Sequence, residues 1–196
     1  MDSGAASLGA ALRENKALEE LNLKFTGITA IGAEGLAAGL QHNKALRSLN
    51  LRFGNLKTGG ARALATALRD NNTLQELNLE DNLIDDAGVG DLAEALKKNA
   101  GLRSLNLRGN RISDRGAVAL AIALEHNKAL EHLDLAGKPV HQEKIGTNGA
   151  RCLSESLKVR KRDKDQKKES QGSERERQGS ERETGSERET GSERET

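Results

Sequence analysis

The 196-residue sequence predicts an α/β solenoid of short strand-and-helix units, and three observations carry that prediction. Leucines recur every 28 residues in three columns: Leu18, Leu46, Leu74, Leu102 and Leu130; Leu21, Leu49, Leu77, Leu105 and Leu133; Leu23, Leu51, Leu79, Leu107 and Leu135. Within each unit the apolar period changes from two to between three and four. The composition offers two Phe and no Tyr or Trp, so a core must be built from aliphatic side chains, which thin stacked layers do more readily than a compact globule.

The first half of a unit is read as a strand. In LRSLNL, from Leu102, apolar Leu105 and Leu107 alternate with polar neighbours, the pattern of a short strand with one buried face. The second half is read as a helix. In GAVALAIALEHN, from Gly116, apolar residues recur at three- and four-residue spacing, and the helix is expected to stop near an Asn in the left-handed αL conformation. That Asn heads its own column, Asn43, Asn71, Asn99 and Asn127, and a glycine column runs through Gly32, Gly60, Gly88 and Gly116. Strands of successive units run in one direction, so the sheet is expected to be parallel, with the helices on its other side.

Five units start at residues 18, 46, 74, 102 and 130, preceded by a half unit, GAASLGAALRENKA, with Gly4, Leu8, Leu12 and Asn15 in helical register and no strand. The last unit carries extra residues in KPVHQEKIGTN before its helix resumes at GARCLSESLK. Neither end shows a polar cap of the kind that solenoids use. The domain is placed at residues 1–158 and a tail at 159–196.

The pattern LxxLxLxxNxIxxxGaxxLaxaL resembles the leucine-rich repeat of the ribonuclease-inhibitor type, found also in NOD-like receptors and in the Ran GTPase-activating protein. The resemblance implies parallel strands on a concave face, helices on the convex face, and binding of a protein partner through the concave face or its rim. The strand-exit Asn of that repeat is present as Asn82 and Asn110 but replaced by Thr26 and Gly54 in the first two units, where Phe25 and Phe53 stand ready to plug the bends instead.

Composition narrows the partners. With 31 basic and 30 acidic residues the net charge is +1, so no whole-molecule field draws the chain to nucleic acid or membrane. A single cysteine, Cys152, excludes an intramolecular disulfide framework and fits a reducing compartment. The N-terminal stretch does not read as a secretory signal and no apolar run suits a membrane helix, so a cytoplasmic or nuclear monomer is expected. From Arg160 onward there is no apolar residue, and that segment is expected to be disordered. Its first part, Lys158 to Lys168, carries a net +5 and is read as a solvated linker, with a nucleic-acid or membrane tether as the alternative. The remainder, ending in three copies of GSERET, is read as a tandem duplication.

Candidate binding residues come from the strand positions that alternate with the buried leucines. One column reads Glu20, Ser48, Glu76, Ser104 and His132; the next Asn22, Asn50, Asn78, Asn106 and Asp134; the third Lys24, Arg52, Glu80, Arg108 and Ala136. Strands about 4.8 Å apart allow Arg52, Glu80 and Arg108 to neutralise one another in a ladder, and the Asn residues are expected to bond to each other through their amides. Lys24, Phe25, Arg52, Phe53, Glu76, Glu80, Arg108, His132 and Asp134 are the partner-binding candidates. As neighbours in one slot, Phe25 and Phe53 form an apolar patch on the rim if they do not plug the bends.

Catalysis is not expected. There is no phosphate-binding glycine loop, DNLIDDAGVGDL has Leu83 where a calcium loop needs an oxygen ligand, and His126, His132 and His141 lack zinc-ligand spacing. Cys152 occupies a helix position held elsewhere by Ala63 and Ala119 and is read as packing. No cofactor or metal is expected. The main alternative function, a GTPase activator like that of Ran, rests on the resemblance alone, since no activating residue can be matched.

Overall fold

In the computed structural model, residues 1–137 and 145–157 are described, and they form the expected α/β repeat solenoid. The order is α1 (Asp2–Glu14), β1 (Glu20–Asn22), α2 (Ala30–Leu40), β2 (Ser48–Asn50), α3 (Lys57–Asp70), β3 (Glu76–Asn78), α4 (Asp86–Leu96), β4 (Ser104–Asn106), α5 (Asp114–His126) and β5 (His132–Asp134). The chain is helical again over 147–157. The five strands make one parallel sheet in sequence order, and Leu21, Leu49, Leu77, Leu105 and Leu133 stand opposite one another, each 28 residues from the next. Residues 138–144 of the inserted segment and the tail readings, including Lys158 to Lys168 and the GSERET copies, lie outside the described residues.

Between sheet and helices the leucine columns close the core. Leu46, Leu74 and Leu102 are fully buried, as are Leu36 and Leu64 on the helix side. Removing any of these side chains to alanine costs on the order of 2–5 kcal/mol. The glycine column is explained by the same packing: a Cβ on Gly60 would lie 2.7 Å from the Cβ of Leu56, and one on Gly88 2.9 Å from Ile84 Cγ2. Packed helices need about 8–10 Å each and paired strands only about 4.8 Å, so a stack of such layers bends with its sheet on the inner side. The first layer has a helix but no strand, and Leu8 and Leu18 are consequently 39% and 40% exposed where Leu36 and Leu46 are not exposed at all.

The asparagines that follow the helices do not act as the sequence suggests. Asn71 and Asn127 are extended, with φ −96° and −76°, and no member of the column has positive φ. They are buried connectors instead. The Asn71 amide nitrogen donates to Leu40 O (2.7 Å) and Asn43 O (2.9 Å) in the layer before, while its oxygen accepts from the N–H groups of Thr73 and Leu74 (both 2.9 Å) in its own layer. Asn43, Asn99 and Asn127 repeat the arrangement, each toward its preceding layer. Two donors and two acceptor sites are thereby all used, which no other uncharged side chain of that size can do.

Helix starts are tied between layers too. Thr29, Asp85 and Ser113 cap α2, α4 and α5 with side-chain oxygens that accept from Ile31, Gly88 and Arg115 N–H. The Asp2 carboxylate accepts from the N–H and hydroxyl of Thr29, and Asp86 does the same for Ser113. The bond from the Thr29 N–H is the main reason that the Asp2 carboxyl lies below its ordinary range. Burial pushes the Asp85 carboxyl up, but donation by Gly88 N–H and the Thr58 hydroxyl outweighs it, and the net shift is downward.

The series fails once, at the start of α3. The column residues there are Ala30 and Lys57, and α3 has no side-chain cap; Lys57 also sits in the left-handed region at φ 51°. The double variant Ala30→Asp, Lys57→Ser installs the acid and hydroxyl pair found at the α2 and α5 junctions. It is expected to raise the urea midpoint by the equivalent of about 1 kcal/mol, and a lowered midpoint would contradict this account of the junction.

Candidate functional site

The last side chain of each strand folds back on its own chain, while backbone bonds between layers continue past it, as from Phe25 N–H to Arg52 O at 2.9 Å. The side-chain oxygens of Asn22, Asn50, Asn78 and Asn106, and that of Asp134, accept from the backbone N–H two residues on, at 2.9–3.2 Å. The expected amide-to-amide ladder is therefore absent among the described residues, since each oxygen is taken up locally. Asp134 belongs to this strand-end set.

Immediately beyond, the chain turns through a left-handed residue in four successive layers: Phe25 at φ 60°, Phe53 at 56°, Asp81 at 58° and Gly109 at 69°. Glycine and Asp suit such a position; a Phe costs about 1–2 kcal/mol there. The two rings stack on each other, centroids 4.6 Å apart and planes 15° from parallel. They do not plug the bends. At the second bend Asn82 reaches back from the next layer and donates to Leu51 O at 2.8 Å. Asn110 does the same for Leu79 O at 2.9 Å. At the first bend Gly54 has no amide to reach back, and the Thr26 hydroxyl closes on Leu23 O at 2.6 Å. Phe25 is left 62% exposed.

The charged column sits beside these rings. Glu80 is 7% exposed and takes Arg52 Nη2 at 3.1 Å and Arg108 Nε at 3.9 Å, the alternating ladder that the sequence suggests. The Arg52 guanidinium carbon also lies 4.7 Å from the centre of the Phe53 ring, and its Nε is buried without a hydrogen-bond partner. Lys24, exposed at the end of β1, forms no ion pair among the described residues. Thus Lys24, Phe25, Arg52, Phe53, Glu80 and Arg108 share one rim of the sheet.

The other candidates lie apart from it. Glu76 is exposed on β3 and accepts from the Ser48 hydroxyl at 3.3 Å; His132 is exposed on β5 at the far edge of the sheet. A shallow depression of about 180 Å³ lies among Glu19, Glu20, Arg47, Ser48, Gln75 and Glu76. No group of three His, Cys, Asp or Glu suited to a metal occurs among the described residues, and none of their helices is long and apolar enough to cross a membrane. Cys152 is half-buried on the helical 147–157 stretch.

Two features escape sequence reading. The left-handed backbone under both Phe residues has only an indirect signal, the Asp81 and Gly109 that fill the same slot later. The orphaned Arg52 Nε has none.

For Phe25 alone, strain and stacking nearly cancel: about 1–2 kcal/mol for its left-handed backbone against about 0.5–1.5 kcal/mol for the aromatic pair. Phe25→Gly is therefore expected to change the unfolding free energy by less than about 1 kcal/mol in urea titration. A loss near the roughly 3–5 kcal/mol of a core Phe truncation would show the rings to be structural.

Residues 14–37, 42–65, 70–93 and 98–121 match the leucine-rich repeat family model. A search of curated protein sequences finds no match. Among solved structures the fold is similar to that of leiomodin-1 actin-binding site 2, with TM-score 0.69, 19% identity, and coverage of 89% of this chain and 97% of that one. It is also similar to the tropomodulin C-terminal domain of Caenorhabditis elegans, with TM-score 0.66, 13% identity, and coverage of 85% and 97%. The four matched stretches, within the stack described above, are leucine-rich repeats.

Proposed function

We propose that this chain is a protein-binding scaffold that engages its partner through the strand face and the Phe25–Phe53 rim, with no bond made or broken. The observation that carries this reading is the aromatic pair itself. Two rings are held at left-handed backbone positions that favour other residues, stacked on each other with one of them largely in water, and strain that the stacking does no more than offset is the mark of a functional position. The polar columns in register across five strands add a broad, preorganised contact surface. The 28-residue period and the strand-exit Asn82 and Asn110 support assignment to the ribonuclease-inhibitor type of repeat. The mixed charge and single cysteine support a cytoplasmic or nuclear location.

Leiomodin-1 site 2 is named for actin binding, which makes actin the first defined protein to test. The immobilised chain is to be used for capture from cell lysate with identification by mass spectrometry, and in co-sedimentation with purified actin filaments. A rim variant, Lys24→Glu with Phe25→Ser and Arg108→Glu, is expected to lose the captured partner. A helix-face variant, Glu34→Lys with Arg69→Glu and Glu125→Lys, is expected to retain it. Retention by the first and loss by the second would place binding on the helices and contradict the proposal.

A further inference from the structure

The rim also specifies what kind of segment it takes. We infer that it docks an acidic peptide carrying an aliphatic or aromatic side chain next to its carboxylates; this deepens the protein-binding reading above and rests on it.

Charge is the first argument. Along the rim column, Lys24, Arg52 and Arg108 face a single carboxylate, Glu80, which both guanidiniums share. Asp81 adds a second acid at the next left-handed corner, so the surplus is concentrated at the first two layers, where Lys24 has no ion pair among the described residues. Arg52 is held between Glu80 and the face of Phe53, so its positive charge is fixed beside the rings before binding and little side-chain freedom is left to lose. The apolar component follows from position. Phe25 is exposed and directly follows Lys24 in the chain, so a carboxylate that reaches the ammonium brings its neighbouring side chain onto the ring.

The opposite column sets the orientation. Glu20 and Glu76 stand exposed on the same sheet face and repel an acidic segment that tries to cross it, confining the segment to the rim. That repulsion also disfavours a nucleic acid, whose evenly spaced phosphates cannot avoid the acidic column. Face-to-face stacking of Phe25 on Phe53 leaves no slot between the rings for a base.

The test uses the full chain and fluorescein-labelled peptides in anisotropy titrations at two ionic strengths. The probe GEDFLDEG is expected to bind, more weakly as salt rises. The uncharged analogue GQNFLNQG and the apolar-free analogue GEDSSDEG are each expected to bind about tenfold more weakly or worse. Phe25→Ser, and separately Lys24→Glu, are expected to weaken GEDFLDEG to a similar degree. Ile31→Ser, a change at an exposed residue on α2, is expected to leave it unchanged, with circular dichroism confirming that all variants fold. Equal binding of the apolar-free peptide, indifference to Phe25→Ser, or tighter binding of a 20-nucleotide single strand (about 20, to span the sheet) would each overturn the inference. Partner capture that survives such a result would leave the scaffold reading in place and remove only the proposed chemistry.

Discussion

Four successive layers each depend on a buried carboxamide that ties them to the layer before. Asn43, Asn71, Asn99 and Asn127 are between 0% and 3% exposed, and each spends both donors on carbonyls of the preceding layer and both acceptor sites on the start of its own strand. The helix of the layer before would otherwise bury unpaired carbonyls at its end, and the strand about to begin would bury unpaired N–H groups. One side chain resolves both problems and fixes the offset between layers. The leucines supply most of the burial energy, but greasy contact alone tolerates sliding; the amides set the 28-residue register in space.

A frame fixed in that way can hold an unfavourable local conformation. The corners after β1 to β4 are determined from both sides, by the strand-ending Asn before each and by Thr26, Asn82 or Asn110 beyond it. Two phenylalanines can thus be kept at positive φ, stacked on each other and turned outward, with Arg52 laid over one ring and tied to Glu80. The same layers that make the fold regular hold this one irregular feature in place.

Much of this was legible in the residues. The leucine columns gave strand, helix, parallel order and the buried faces, because periodicity reports directly on which side of an element meets the core. The Arg52, Glu80 and Arg108 ladder was legible for a similar reason, since strand spacing brings column neighbours together. Side-chain amides were harder. Asn71 and Asn50 are the same residue type in similar contexts, yet one bridges layers and the other caps its own strand; sequence alone favoured a left-handed stop for the first and a ladder for the second. The choice turns on which backbone groups are left unpaired, and that becomes visible only when the layers are stacked. Likewise Phe25 and Phe53 could be seen as neighbours, but not as strained ones, because a left-handed φ leaves no mark on a phenylalanine.

The most direct test of the claim that the buried amides hold the layers together is the unfolding free energy of Asn71→Asp, an almost isosteric change that turns two donors facing Leu40 O and Asn43 O into acceptors. The account predicts a loss of about 3–5 kcal/mol in urea titration, against little change for Asn72→Asp, where the neighbouring exposed side chain already acts as an acceptor for Ala100 N–H. A shift for Asn71→Asp no larger than that of Asn72→Asp would contradict it.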